Sequence, residues 1–400
     1  MIYKLNNLEE MNLKLNSLVI FKKLLNDKVI KKLSKMLSIS DKSLLERVSS
    51  YSSFASELFL ETVNLTDYIL NLVFEDENLY VLKYIKNDVD AKLEKNLEDE
   101  INILEKISRL TSIEVKNNID YNGYLPEWEN ENLNFLSLYR QRIKNITTFG
   151  YGIYSKYHMF TVKDGNISPV RWPDQITISN LEGYEEERKA IVDNTISLLK
   201  GKPAANVLLY GDAGTGKSST VKAVANEFKD KGLRLIEITK EQFGEIPGII
   251  EELTQNPLKF ILFIDDLSFE RDSDDFNALK AALEGSVFSK TPNILIYATS
   301  NRRHLVKESF SDRSGDDIHV NETIQELCSL SDRFGLLVSF FKPNKELYLK
   351  IVHGLKMQYG IKMNDAKLDF EAEKYALNRG GRSPRAARQF IEYIKSTEDD

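Results

Sequence analysis

A glycine-rich segment in the second half of the chain has the residues of a phosphate-binding loop. Gly211–Ser218 fits the pattern G-x-x-x-x-G-K-[ST] and directly follows the apolar run Val207–Tyr210. Glycines let backbone N–H groups curl around an anion, and a following helix points its positive N-terminal end at the phosphates. A chance match in a glycine-containing loop is the alternative. The predicted nucleotide-binding residues of this loop are Gly211, Asp212, Ala213, Gly214, Thr215, Gly216, Lys217, Ser218 and Ser219.

Two side chains of this loop, and two that follow another apolar run, would do the chemistry. Lys217 is predicted to reach the β- and γ-phosphates, and the Ser218 hydroxyl to bind Mg²⁺. Asp265 and Asp266 follow the run Phe260–Ile264, and open α/β sheets bind ligands where their strands end. Asp265 is predicted to hold Mg²⁺ through water, and Asp266 to orient or polarise an attacking water molecule. Taken alone, the two acids could instead cap the next helix.

The elements that position these residues alternate between strand and helix patterns. From about residue 176 onward, short β-branched runs are mostly followed by helical patterns, which predicts a parallel α/β sheet with crossover helices. From about residue 345 the pattern is helical to the end. The guanine-reading pattern N-K-x-D is approached only by Asn344–Leu347, which lacks the aspartate, so a GTPase is disfavoured. The predicted strands are Asn206–Tyr210, Leu233–Thr239, Phe260–Ile264, Ile294–Ala298 and Leu336–Phe340.

The N-terminal part of the chain has a different composition. The first 122 residues contain neither glycine nor proline and repeat apolar residues at three- and four-residue spacing. This pattern predicts a helical domain with breaks near Ser38–Ser43 and Asn87–Asp90. Further on, Asp164–Asn166 separates two strand-like runs and predicts a hairpin, either a small β-element packed on the next domain or a peptide- or base-stacking surface. The predicted domains are 1–120, helical; 121–175, an aromatic-rich β or linker element; 176–342, the α/β core; and 343–400, helical.

Composition excludes several classes of protein. The chain has 400 residues, of which 42% are hydrophobic and 29% charged, and we expect two or three domains. No apolar run approaches the roughly 20 residues of a membrane helix, so we expect a cytoplasmic protein without membrane contact. The single cysteine, Cys328, excludes an internal disulfide framework and a multi-cysteine metal site. The net charge of −7 argues against a chain that coats nucleic acid. The first 40 residues nevertheless carry eight lysines against three acids, as a local basic patch or a solvated helix face.

Four further segments resemble the AAA+ ATPase superfamily in order and spacing. Leu181–Glu185 resembles the adenine-side segment, and Ile294–Arg303, which contains Ala-Thr-Ser-Asn, resembles the strand that ends in sensor 1. Ser329–Gly335 (Ser-Leu-Ser-Asp-Arg-Phe-Gly) resembles the arginine-finger segment, and Gly380–Gln389 resembles the sensor 2 segment. The resemblance covers about residues 176–395. In detail, these segments are similar to those of a bacterial AAA+ group of unassigned cellular role. The residues that carry it are Gly183 and Tyr184 on the adenine side, Asn301, Arg333 and Arg385.

The resemblance implies a P-loop NTPase fold of AAA+ type, with Walker A and Walker B motifs and a C-terminal helical lid. It implies an ATP and Mg²⁺ site in which Arg333 serves a neighbouring subunit, and hence a homo-oligomer that forms a ring or partial ring. Many members place Glu where Asp266 stands, so slow hydrolysis is a possibility. The implied catalytic residues are Lys217, Asp266, Asn301, Arg333 and Arg385, and the implied metal ligands are Ser218 and Asp265.

Several alternatives stay open. Thr299 or Ser300 would replace Asn301 if the register shifts, Arg382 or Arg388 could replace Arg385, and Arg333 could simply pair with Asp332. Phe243-Gly244 lies about where ring unfoldases carry an aromatic pore loop, although a local hydrophobic anchor explains it equally well.

The function expected first is an ATP-hydrolysing AAA+ protein that remodels or loads an unidentified macromolecular partner held by the N-terminal domain. One alternative is a DNA-associated helicase loader or initiator, suggested by Asp265-Asp266 and the basic first 40 residues. Another is an ATP-gated binding switch with little turnover.

Overall fold

A computed structural model of the chain describes residues 7–38, 42–267, 279, 292–301 and 333–397. The chain divides into two compact units, Met1–Lys156 and Tyr157–Asp400. The segment 121–175 is thus shared between both units, and the finer division at residues 120, 175 and 342 stays a prediction. Cys328 lies outside the described residues. The expected ion pair between Arg333 and Asp332 depends on Asp332, which also lies outside them.

The described part of the first unit is helical. The predicted breaks are confirmed, because helices end at Leu37 and Ile85 and the next ones begin at Leu44 and Ala91. Polar side chains fix these starts: Ser43 and Glu46 form a reciprocal capping box, and the Asp90 carboxylate accepts from the Leu93 N–H. The helices are α1 (Asn7–Asn16), α2 (Lys28–Leu37), α3 (Leu44–Phe59), α4 (Leu65–Glu75), α5 (Leu79–Ile85), α6 (Ala91–Ser108), α7 (Ser112–Lys116), α8 (Phe135–Lys144), α9 (Ile146–Phe149) and α10 (Ile153–Lys156).

The second unit is built on a sheet whose described strands lie in the order β2-β1-β4-β5-β6-β3-β7. All neighbouring pairs are parallel except the β1–β2 hairpin, which is antiparallel as predicted. The hairpin belongs to the second unit, because β1 is hydrogen-bonded to β4 and extends the sheet. The strands are β1 (Met159–Lys163), β2 (Asn166–Pro169), β3 (Val207–Gly211), β4 (Leu233–Ile238), β5 (Lys259–Ile264), β6 (Ile294–Ser300) and β7 (Leu336–Phe340).

Helices cover this sheet and then form a C-terminal bundle. Tyr348, Leu368 and Phe390 are buried, and they join the last three helices to the core of the sheet. The predicted fold class is therefore confirmed: a mostly parallel α/β sheet with a helical lid, preceded by a helical region. No described helix is both long and apolar enough to cross a membrane. The helices are α11 (Glu185–Leu199), α12 (Lys217–Phe228), α13 (Ile246–Thr254), α14 (Lys345–Tyr359), α15 (Asp365–Asn378) and α16 (Pro384–Thr397).

Candidate nucleotide-binding site

Three adjacent strands deliver the predicted site residues to one edge of the sheet. Strands β5, β6 and β3 are neighbours and parallel, with Ile264 opposite Ala298 and Tyr210 opposite Ser300. Parallel strands end at the same edge, so the segments that follow them meet there. The segments are the glycine-rich loop after β3, the two aspartates after β5 and Asn301 after β6. They line one cleft of about 460 Å³, a size that suits a small-molecule ligand.

The loop after β3 has the backbone conformation of an anion cradle. Gly211, Gly214 and Gly216 have φ values of 130°, 77° and 95°, which disfavour any residue with a side chain. A Cβ at Gly211 would also overlap the carbonyl oxygen of Phe340 on β7. Helix α12 begins immediately afterwards at Lys217, so its unpaired N–H groups and positive dipole end belong to the same loop. This arrangement fits the phosphates of a nucleotide.

Lys217 is a buried cation with neutral partners. Its side chain is 6% exposed, and its Nζ donates to the carbonyl oxygens of Gly211 (2.9 Å) and Asp212 (2.7 Å) and to Asn301 Oδ1 (3.1 Å). Burial lowers the pKa of Lys217, and the surrounding carboxylates, Asp212 first, act in the opposite direction. An ammonium group held by neutral oxygens gains further from an anion, which the adjacent loop is built to accept.

The first aspartate after β5 is tied to the loop and to β6. Asp265 Oδ1 accepts from Ser218 Oγ and from Thr299 Oγ1, each at 2.6 Å. A serine hydroxyl and a carboxylate side by side are the hard oxygen ligands that Mg²⁺ uses with nucleotides, where one or two protein ligands suffice. Thr299 also accepts from the N–H of Asp266 at 2.9 Å. Thr299 therefore positions both aspartates, a role different from the sensor register considered for it.

Asn301 connects the lysine to the second aspartate. Its Nδ2 donates to Asp266 Oδ1 at 2.9 Å, and its Oδ1 accepts from Lys217. Asp266 has a φ of 53°, an uncommon value for a residue with a side chain, and its carboxylate is exposed to the cleft. The amide thus holds an acidic group and a basic group at the place where terminal phosphates would lie.

The lid contributes Arg385 from the start of α16. The N–H of Arg385 donates to the carbonyl oxygen of Gly214 at 3.1 Å, and Arg385 lines the cleft. A Cβ at Gly214 would lie 3.3 Å from the Cβ of Arg385, so the glycine permits this close approach. Arg382 instead forms two hydrogen bonds with Glu373, at 2.8 and 2.5 Å, and does not line the cleft. Arg388 does line it, so Arg385 and Arg388 are the candidates that the geometry keeps.

Other predicted residues lie away from the cleft of this chain. Leu336, at the start of β7, is paired with Val207 at the start of β3, whereas the loop follows the other end of β3. About 13 Å of extended strand separates those two ends. Arg333, three residues before β7, therefore lies near the opposite edge of the sheet.

The adenine-side prediction is only approximated. Gly183 and Tyr184 do not line the cleft, and the Tyr184 ring is buried against Phe340 with its hydroxyl donating to the Phe341 carbonyl at 2.5 Å.

The cleft is lined instead by the preceding residues, Asn180–Glu182, and by Arg188. Ile351 and Leu355 of α14 complete this end. Leu181 and Glu182 belong to the predicted adenine-side segment. Sequence reasoning missed Asn180, Arg188, Ile351 and Leu355, because no contiguous motif connects them.

Residues 155–398 match the family model described as "Protein of unknown function (DUF815)". The chain belongs to this family. It is 27% identical over 208 residues to the Holliday junction branch migration complex subunit RuvB of Mycoplasmopsis synoviae, covering 52% of this chain and 60% of that protein. It is 24% identical over 246 residues to the proteasome-activating nucleotidase of Saccharolobus islandicus, covering 55% and 62%.

These matches confirm the resemblance to the AAA+ ATPase superfamily, and the family of unknown function fits the bacterial group of unassigned role. The chain spans about 60% of the length of the two curated relatives. A solved structure of the RuvB Holliday junction branch migration motor of Thermotoga maritima is similar with a TM-score of 0.40 and 16% identity, covering 55% of this chain and 64% of that one.

Proposed function

We propose that this AAA+ ATPase binds Mg²⁺-ATP in the cleft and hydrolyses it at sites shared between neighbouring subunits. Turnover would drive the remodelling or loading of a macromolecular partner in the cytoplasm. One observation carries the proposal. The cleft that contains the phosphate-binding loop is also lined by Lys217, Asp266, Asn301 and the lid residue Arg385. These residues come from three strand ends and a separate helical element.

Each group in the cleft has a physical role in this proposal. The loop N–H groups and Lys217 bind the β- and γ-phosphates, exchanging neutral oxygens for charged ones. Ser218 and Asp265 provide oxygen ligands for Mg²⁺, which when bound polarises the phosphate oxygens. The Asp266 carboxylate, held by Asn301, orients the attacking water. Arg385 adds positive charge near the phosphates when the lid is docked on Gly214.

We infer that Arg333 acts on a neighbouring subunit. It lies near the edge of the sheet opposite to its own phosphate-binding loop, so it can complete a site only in another copy of the chain. A guanidinium supplied in this way stabilises charge that develops during phosphoryl transfer, an effect of about 10³–10⁵ in rate.

The experiment is the ATPase rate per subunit over a wide range of protein concentration, with Arg333→Ala measured alongside. The rate per subunit should rise with concentration and be lost in the variant, while ATP binding stays within a few-fold of the original. Arg171→Ala, at an exposed arginine, is the matched control and should behave as the unaltered chain. A constant rate that is indifferent to Arg333 would contradict shared sites and favour the ATP-gated switch.

A DNA-associated function is the second candidate, favoured by one observation in the N-terminal unit. Helix α2 contains four lysines and no acid, and Lys28, Lys31 and Lys35 are exposed while Val29, Ile30 and Leu33 are buried. Such a basic face suits a polyanion. Stimulation of the ATPase by DNA would favour this function, and stimulation by unfolded polypeptide would favour a protein partner.

A further inference from the structure

The cleft has a second end, away from the phosphate-binding loop, whose residues have no role in the proposal so far. It is lined by Asn180–Glu182 and by the buried side chains of Ile351 and Leu355 from lid helix α14. Apolar side chains beside a segment of polar backbone suit a flat heterocycle with polar edges. If the phosphate-binding loop holds the triphosphate, as the proposed function requires, the nucleobase would occupy this end.

Arg188 holds the polar side of this end. It lies in the first turns of α11, is only 7% exposed and lines the cleft. Its two terminal nitrogens donate to the carbonyl oxygens of Leu181 (2.7 Å) and Glu182 (2.8 Å). Within the described residues, its Nε is buried and has no hydrogen-bond partner.

A guanidinium buried in this way is costly as a purely structural device. Desolvation lowers the pKa of Arg188, and the nearby carboxylates of Glu185, Glu182 and Glu187 offset this only in part. Arg188 fixes the backbone of a short segment that belongs to no helix or strand. This segment, residues 181 and 182, follows a single 3-10 turn, Ile178–Asn180, and precedes α11. Without the two bonds, both carbonyl groups would lose their charged donor.

The same segment is bound to the lid. The Glu182 carboxylate accepts from Gln358 of α14 at 2.6 Å, and a Cβ at Gly354 would overlap the Glu182 side chain. The glycine thus leaves room for Glu182 to lie on the helix. The polar and apolar sides of the base end are therefore held together by Arg188 on the core side and by Glu182 on the lid side.

We propose that Arg188 is a positioning residue for the purine base of the nucleotide. It fixes Leu181 and Glu182 so that their backbone faces the base, and it presents its remaining buried N–H at the same end. This inference rests on the proposed function, because it assumes that a nucleotide occupies the cleft. The proposal predicts that Arg188 contributes to the binding of whole nucleotides and not to the binding of their phosphates alone.

The test compares Mg²⁺-ATP with Mg²⁺-tripolyphosphate, which lacks base and ribose, by calorimetric titration of the full chain. Arg188→Met should weaken ATP binding by about tenfold or more, the equivalent of a lost charged hydrogen bond, and change tripolyphosphate binding by less than about twofold. Arg188→Lys should recover part of the loss. Lys189→Met is the control, since Lys189 is exposed and pairs with Asp193 on the same helix.

The comparison within each variant separates the outcomes. If the variant simply folds less well, both ligands lose affinity together, and that result overturns the inference, as does an unchanged affinity for ATP. If the unaltered chain binds neither ATP nor tripolyphosphate, the proposed function fails and the inference fails with it. If ATP binds normally in Arg188→Met while turnover falls, Arg188 acts elsewhere and the inference is wrong.

Discussion

The two ends of the cleft are assembled in different ways. At the phosphate end, the ligand-facing groups are adjacent in sequence or sit where neighbouring parallel strands stop, as Ser218, Asp265 and Asn301 do. At the base end, the groups come from a short irregular segment, from α11 and from a lid helix about 170 residues away. The first end is fixed by local motif and sheet topology, and the second by tertiary contacts. Changes at the first end should therefore be severe, and changes at the second end graded.

The largest effect is expected from Lys217→Ala at the phosphate end. The change removes a buried ammonium with three hydrogen bonds, and with it the charge that pairs with the phosphates. We expect ATP affinity to fall by about a hundredfold or more, with no measurable turnover. The base end would still be intact, so affinity retained within a few-fold, measured by calorimetric titration, would show that the base end dominates binding and would break the comparison.

Asp266→Asn should separate chemistry from binding. The amide keeps the size of the side chain but loses the carboxylate that accepts from Asn301 and orients water. Turnover should fall by about 10²–10⁴ while ATP affinity changes only a few-fold, so that bound ATP is trapped. Single-turnover measurement of retained radiolabelled ATP tests this expectation. Normal turnover would show that another group activates the water.

The smallest effect is expected from Gly354→Ala at the base end. Alanine in the middle of α14 stabilises the helix by up to about 1 kcal/mol, but its methyl group must displace the flexible Glu182 side chain and disturb its bond to Gln358. We expect a slightly higher melting temperature and a few-fold weaker ATP affinity.

The control is Gly248→Ala in α13, because a Cβ at Gly248 meets nothing within 4 Å. Gly360→Ala is not a suitable control, because Gly360 has a φ of 65°. A loss as large as that of Lys217→Ala would contradict the graded nature of this end.

The sequence alone was sufficient for most of the sheet and for the phosphate end. The five predicted strands of the core lie within two residues of those observed, because each is a compact apolar run. The pairing of β1 with β4 could not be foreseen, since Phe160 and Ile236 are far apart in sequence and neither run encodes its neighbour. Phe243, considered as a pore residue, is fully buried, which supports the hydrophobic-anchor interpretation.

The arginines show where sequence reasoning reaches its limit. Arg382, Arg385 and Arg388 lie within seven residues and have the same chemistry, and only the position of Glu373 on the preceding helix separates Arg382 from the cleft. Arg188 carried no signal at all, because a glutamate-rich helix start resembles any solvated surface. The Glu373 partner of Arg382 and the burial of Arg188 decide these roles, and both depend on contacts across the fold.

The placement of Arg333 and the phosphate-binding loop at opposite edges of one sheet has a consequence for symmetry. If Arg333 completes a neighbour's site, the two surfaces that meet are different, so the contact is head-to-tail and not two-fold. A pair of subunits then holds one complete site and one incomplete site, and every site becomes complete only when the arrangement closes on itself. In mixed assemblies, each Arg333→Ala subunit would silence the site of one adjacent subunit and leave its own site able to work.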